Sequence, residues 1–393
     1  MKTPLPLRLA GMALFATLAL GLVFGAHYWI FRVLVVEPAL AGPWRSAGIA
    51  LIALGAVSLV LQPIGERTLP RALARCIAWP ASIWMGIFFY LAMGLVATEL
   101  VVRLAGAPAL AATVDAEPSS AAGLRALAVC TLAFLAVGAG LRRGLRLPEV
   151  RRVEIELARW PRALDGFRIA QISDIHIGPI LGRAFAEGVT ARVNALDADL
   201  VAVTGDLVDG NDALLAAEVA PFGELRGRHG VFFVTGNHDH YSGADAWVAR
   251  VEALGMRALR NERHVIERDG AAFDLAGVED HHAHFVGSAR EDLDAALAGR
   301  DAERPVILLA HDPATFKRAR TAGVDLQLSG HTHGGQIWPF VFFVRLATPW
   351  VAGLYRAGAA TLYVSRGTGF WGPPMRLGAP AEITEITLRA PAP

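Results

Sequence analysis

The chain has 393 residues, 54% of them hydrophobic, and a formal net charge of +1. That apolar share is too high for an ordinary soluble protein, and the near-neutral balance gives no electrostatic case for a nucleic-acid partner. The only two cysteines, Cys76 and Cys130, lie in apolar runs, which excludes a disulfide framework or a cysteine-ligated zinc site in the polar remainder.

The apolar excess sits in the first part of the chain. No charge occurs between Arg8 and Arg32, between Arg45 and Glu66, or between Arg75 and Glu99, and a fourth run from Ala121 to Leu141 is broken only by Arg125. Each run is about 20 residues, enough to cross roughly 30 Å of hydrocarbon as a helix. Four in succession predict transmembrane helices at about 9–31, 46–65, 76–98 and 121–141, in a membrane domain of residues 1–150. The first run is long for a secretory signal, and no clear small-residue cleavage site follows it. Lys2, Arg8, Arg67, Arg71, Arg75, Arg142, Arg143, Arg146, Arg151 and Arg152 flank the runs on one side; Arg32, Arg45, Arg103 and Arg125 flank them on the other. This excess predicts cytoplasmic termini and a cytoplasmic domain, residues 151–393, on a multi-pass protein of the cell membrane.

From about Val153 the apolar runs shorten to strand length, and five of them end in polar residues of one kind. FRIAQIS leads to Asp174 and His176, DLVAVTG to Asp206, GVFFVTG to Asn237 and His238, PVILLA to His311, and VDLQLSG to His331 and His333. Residues 182–196 and 243–255 have helical spacing of apolar positions, so a layered α/β arrangement is expected. In such sheets ligands bind at the carboxyl ends of the strands. Asp, Asn and His without sulfur suit Mn, Fe or Zn, and seven such donors are too many for one tetrahedral ion. They suffice for two ions about 3.5–4 Å apart that share a carboxylate. Gly334 and Gly335 are expected to bend an extended segment so that His331 and His333 face different ions.

DIH (174–176), GDLVDG (205–210), GNHD (236–239), the isolated His311 and GHTH (330–333) resemble the calcineurin-like metallophosphoesterases, in order and over roughly residues 165–390. The segment LYVSRGTGFWGPPMRLGAPAEIT is similar to the subgroup of transmembrane proteins with a metallophosphoesterase domain. The resemblance implies two mixed sheets packed face to face and flanked by helices. It also implies Asp174, His176 and His333 on one divalent ion, Asn237, His311 and His331 on a second, and Asp206 bridging. A bridging hydroxide would attack phosphorus in line, with His238 as donor to the leaving oxygen. Asp239 is expected to orient His238, and Asp209 to brace the site from behind.

Arg366 and Arg376 are candidates for a substrate-binding arginine fork. Glu279, Asp280, His281, His282 and His284 read as a solvated loop on the rim rather than a third metal site. In IWPFVFFVRLATPW (337–350) the aromatic residues have strand spacing and are expected in a core. The alternative is contact with the membrane interface or with acyl chains. The leading reading is a membrane-anchored binuclear phosphoester hydrolase at the lipid bilayer, acting on a lipid- or nucleotide-linked phosphate or diphosphate such as UDP-2,3-diacylglucosamine. A non-catalytic membrane scaffold or sensor binding metal and phosphate is the competing reading. A metallopeptidase ranks last, since no HExxH is present.

Overall fold

A computed structural model describes residues 5–104 and 120–392; Lys2 of the basic flank lies outside them. Two units are distinguished, Met1–Thr68 with Cys76–Ala139, and Leu69–Arg75 with Gly140–Pro393. Four long helices dominate the first: α1 (Leu5–Phe31, continued by a π-helical turn Arg32–Val36), α2 (Gly42–Thr68), α3 (Arg71–Leu104) and α4 (Ser120–Gly144). Within them Thr17–Val36, Gly42–Glu66, Arg71–Leu104 and Ala121–Gly144 are long and apolar enough to cross a membrane. Leu22, Leu54 and Leu132 are exposed, as expected of helices solvated by lipid. Several polar side chains of these helices find partners in one another, because nothing in hydrocarbon would satisfy them. Trp84 Nε1 donates to His27 Nε2 at 2.9 Å, Gln62 Nε2 to Ser82 Oγ at 2.9 Å, and Arg125 pairs with Glu99 at 3.2 Å.

The second unit is a two-sheet α/β domain. Its elements run β1 (Glu149–Glu156), β2 (Phe167–Ile172), α5 (Arg183–Asn194), β3 (Leu200–Thr204), α6 (Asp212–Val219), β4 (Val231–Val234), α7 (Asn237–Tyr241), α8 (Ala244–Ala253) and β5 (Arg257–Ala258). They continue through β6 (Glu262–Arg268), β7 (Ala271–Gly277), α9 (Leu293–Leu297), β8 (Val306–Leu309), α10 (Phe316–Ala319), β9 (Leu326–Ser329), α11 (Val341–Ala347), β10 (Gly353–Ala357), β11 (Ala360–Val364) and β12 (Glu382–Arg389). One sheet has the order β1-β12-β2-β3-β4-β5 and the other β10-β11-β9-β8-β7-β6. β2, β3 and β4 pair in parallel, as do β7, β8, β9 and β11, so each sheet presents its carboxyl ends at one edge.

Alternation along the strands builds the layers. Phe167, Ile169, Leu200, Ala202 and Phe232 of the first sheet pack against Phe273, Leu275, Ile307, Leu309 and Leu328 of the second. The opposite faces are covered too: Ala170, Val201 and Phe233 meet α5, α6 and α8, while Val306 and Leu308 meet α9 and α10. Strands buried on both faces read as continuous apolar runs, which is how they were recognisable. Near the ligand-bearing edge Gln171 of β2 is wholly buried and donates to Thr204 Oγ1 at 2.9 Å and to the Ser329 carbonyl of β9 at 3.0 Å. That pair of bonds ties the sheets together under the candidate site.

Candidate metal centre

Five strand ends deliver the donors: β2 to Asp174 and His176, β3 to Asp206, β4 to Asn237 at the start of α7, β8 to His311, and β9 to His331 and His333. The structure brings all seven side chains together. His333 Nε2 lies 3.1 Å from His176 Nε2 and 3.3 Å from Asp174 Oδ1. In a second group, His331 Nδ1 lies 3.0 Å from Asn237 Oδ1 and 3.3 Å from His311 Nε2. Between them stands Asp206 Oδ2, 3.1 Å from His311 Nε2 and 3.8 Å from His176 Nε2.

The backbone is strained where it presents these groups. Asp174, His176, Asp206, His331 and His333 all have positive φ, from 51° to 73°. Residues other than glycine avoid that region, and clusters of them mark functional sites. His331 and His333 are therefore set on a left-handed loop and a short 3-10 turn, not on the extended segment expected. Gly334 and Gly335 serve another purpose: a Cβ on Gly335 would lie 2.6 Å from Val341 Cα, so this glycine lets the chain fold back into α11. The close approach to the ligands belongs to Gly330, whose Cβ would collide with Ser173 and Asp174.

The outer ring nitrogens fix what faces inward. His176 Nδ1 donates to Asp209 Oδ1 at 3.0 Å, and His311 Nδ1 donates to the Thr204 carbonyl at 2.8 Å. In the neutral rings of His176 and His311 this leaves Nε2 as an inward lone pair beside the Asp206 carboxylate. Such an arrangement is repulsive unless positive charge sits among them. The electrostatics agree. Burial alone would lower the pKa of His311, but Asp206 outweighs it and holds the ring well above the usual histidine range. His333 is pushed well below that range by burial and by Arg376, which keeps it neutral. Asp206 stays ionised, burial being overcome by His311, His238 and His176. Oxygen and imidazole donors in two clusters with a shared carboxylate oxygen fit a pair of divalent ions.

His238 adjoins this centre. Its Nδ1 lies 2.6 Å from Asp209 Oδ1, its backbone N–H donates to Asp206 Oδ1 at 2.8 Å, and its ring packs edge-on against His176. The orienting contact thus comes from Asp209, which holds His176 and His238 with one carboxylate, and not from Asp239. The Asp239 carboxylate accepts instead from the backbone N–H groups of Gly236, Asp206, Leu207 and Val208 at 2.8–3.2 Å. It locks the β3 and β4 loops together. Its acidity reflects that position: burial and the Asp206 charge raise it to about 7.

The two arginines are also engaged by the fold. Arg376 is wholly buried; Nη1 donates to the His333 carbonyl at 2.9 Å and to the Arg366 carbonyl at 2.6 Å, and Nη2 lies 3.1 Å from His333 Nδ1. Its fork braces a candidate ligand rather than opening toward a substrate. Arg366 pairs with Glu382 at 2.8 Å. In the rim cluster His281 and His284 are exposed as expected, but Glu279 and Asp280 are buried. Glu279 accepts from Thr235 at 2.7 Å and lies 3.2 Å from His240. His282 stacks on His331 and, with Asp312, forms a further group of metal-ligand type. Tyr241 and Trp371, not singled out from the sequence, pack on the His238 ring at 5.5 and 5.7 Å. Tyr241 had a local signal, lying one helical turn after His238. Trp371 had none, since a separate loop supplies it.

The calcineurin-like phosphoesterase family matches residues 167–335. The chain is 42% identical over 278 residues to a Bos taurus protein named transmembrane protein with metallophosphoesterase domain, covering 67% of this chain and 62% of that protein. It is 34% identical to a metallophosphoesterase of Campylobacter jejuni, covering 67% of this chain and 69% of that one. A metallophosphoesterase of Aquifex aeolicus is 34% identical, with 61% of this chain and 91% of that one covered. The match spans less than two thirds of the bovine relative's length.

Proposed function

The chain belongs to the calcineurin-like metallophosphoesterases, and from that premise we propose that it is a membrane-anchored, two-metal phosphoester hydrolase. One observation carries the reading: a single oxygen of Asp206 stands between inward-facing nitrogens of His176 and His311, the geometry of a bridging ligand. Asp174, His176 and His333 would hold one ion, Asn237, His311 and His331 the other, and Asp206 would be shared by both. Bound there, paired divalent cations supply a nucleophilic water and absorb charge on the phosphoryl oxygens.

The chain's own residues provide the rest. His238 is the proton donor to the leaving oxygen. Burial alone would lower its pKa, but Asp206 and Asp209 outweigh it and raise it to about 9; with cations on Asp206, the Asp209 carboxylate is what would keep the ring protonated. Asp209 fixes the direction of that proton because it occupies Nδ1 and leaves Nε2–H for the substrate. Asp239 keeps the β3 and β4 loops in register.

Residues 1–150 form the membrane domain and 151–393 the catalytic one, with both termini in the cytoplasm by the basic flanks. That placement favours a lipid- or nucleotide-linked phosphate or diphosphate, UDP-2,3-diacylglucosamine being one of the class. The test is hydrolysis of bis-p-nitrophenyl phosphate by the detergent-purified chain with Mn, before and after His311→Ala and His238→Ala. Turnover that His311→Ala abolishes, and that His238→Ala lowers only modestly because p-nitrophenolate leaves without a proton, supports the hydrolase. Metal and phosphate binding with no turnover would leave the scaffold reading instead.

A further inference from the structure

Helix α11, sequence VFFVRLA, contains no buried residue, although every position but Arg345 is apolar. Around it Trp338, Phe340, Phe342, Phe343 and Trp371 are exposed, and Leu346 is 86% exposed. Of the core expected for residues 337–350, Ile337 is buried and Trp350 packs on Phe316, while the aromatic residues between them stay exposed. A contiguous aromatic surface of this kind marks an interaction site. We propose that α11, with Trp338 and Trp371, seats in the headgroup interface of the bilayer that the chain's own apolar helices enter, so that the catalytic domain works against the lipid surface.

Three observations select lipid as the occupant. The first is the frame that carries the patch. Gln336 exchanges hydrogen bonds with the Trp371 backbone at 2.8 and 3.0 Å, and Trp338 N–H donates to the Leu377 carbonyl at 2.7 Å, so the two tryptophans share one scaffold. Within the same unit that scaffold meets Gly140–Gly144, where the last apolar helix ends: Arg376 N–H donates to the Gly140 carbonyl at 3.0 Å. A Cβ on Gly144 would lie 2.6 Å from the Pro374 carbonyl oxygen. The patch therefore adjoins the point where the chain leaves its membrane segment.

The second observation is charge. No Asp or Glu occurs between Asp325 and Glu382, whereas Arg345 and Arg356 do, which suits an anionic headgroup layer. The third is composition: tryptophan and phenylalanine around a basic residue are what interfacial helices use. The consequence for chemistry rests on the hydrolase reading. Trp371 is at once part of the patch and a neighbour of His238, so a phosphoester in a lipid headgroup would meet the site without leaving its leaflet.

The experiment uses the full chain with Cys76→Ala and Cys130→Ala, an environment-sensitive fluorophore on Leu346→Cys, and one chain per nanodisc of phosphatidylcholine and phosphatidylglycerol. The lipids carry a nitroxide on the acyl chain. The label should lose most of its emission to the nitroxide, while the same label on Glu303→Cys, at an exposed position, keeps it. A companion Phe343→Asp substitution should restore the emission yet leave turnover of soluble bis-p-nitrophenyl phosphate within about twofold, since it removes buried apolar area only at the lipid contact. Water-like, unquenched emission at position 346 overturns the proposal. So does shielding that arises only when two chains share a disc, which would assign the surface to a second copy. Quenching without turnover of the soluble ester would keep the docking and remove the hydrolase; turnover without quenching would do the reverse.

Discussion

Replacing Asp209 by Asn tests the catalytic reasoning most directly, because one carboxylate holds both a candidate metal ligand and the candidate proton donor. Asp209 Oδ1 is 2.6 Å from His238 Nδ1 and 3.0 Å from His176 Nδ1, and its side chain is 24% exposed. Burial would raise the Asp209 pKa, but the two histidines more than reverse this and keep it ionised. A hydrogen bond between charged partners contributes about 1.5–3 kcal/mol. Partial exposure favours the lower end, so removing the charge should lower the His238 pKa by about one unit, at 1.36 kcal/mol per unit. The sign follows from the raised pKa of His238. The donor is protonated and active below that value and is lost as pH rises through it. Asp209→Asn should therefore bring the alkaline fall in rate about one pH unit lower. Bound cations offset the Asp206 charge, which leaves Asp209 the main source of the elevation. The assay is the pH–rate profile for a phenyl phosphodiester, whose leaving group has a pKa of about 10 and needs a proton. Saturating Mn is required, because loosening His176 should also weaken metal binding by about 10–100-fold. An alkaline limb that stays put in Asp209→Asn, or that survives in His238→Ala, would refute the assignment.

His238→Ala should cost about 100-fold or more on the phenyl ester and far less on the p-nitrophenyl ester, whose phenolate leaves without help; the ratio of the two rates is the readout. Elemental analysis should find two divalent ions per chain, and about one after His311→Ala; chelation should lower the thermal midpoint, since metal at 100 times its Kd stabilises by about 2.7 kcal/mol. Asp239→Ala strands four backbone donors in a buried loop and should destabilise the domain by about 3 kcal/mol or more, measured as a fall in the melting temperature in detergent. Arg376→Lys loses the planar fork that braces His333 and should reduce metal content while leaving KM for a soluble diester unchanged. A raised KM with full metal content would instead restore the anion-fork role expected from its sequence context.

The ligand-bearing strand ends were legible in the sequence for a local reason. FRIAQIS, DLVAVTG and VDLQLSG are short apolar runs that stop at polar residues, and a strand buried on both faces can hardly be written otherwise. The four apolar helices were legible because crossing hydrocarbon constrains length and composition alone. What each polar side chain does was not local. Asp209 and Asp239 both follow strands, and Asp239 adjoins His238 in the sequence while Asp209 lies 29 residues away; only the packing of β3 beside β4 turns the distant one toward the two histidines and the adjacent one into a ring of backbone donors. Arg376 looked free in a glycine-rich loop, yet the Gly367–Gly369 turn closes over it. WPFVFFVRLA was apolar enough for a core, and hydropathy registers how apolar a segment is, not whether another layer lies above it. The sequence by itself determined which residues have the chemistry to bind metal and which helices are long and apolar enough to cross a membrane; tertiary structure decided which atoms face one another and which apolar surface is left uncovered. Orientation is set by neighbours that are distant along the chain, and no local pattern records them.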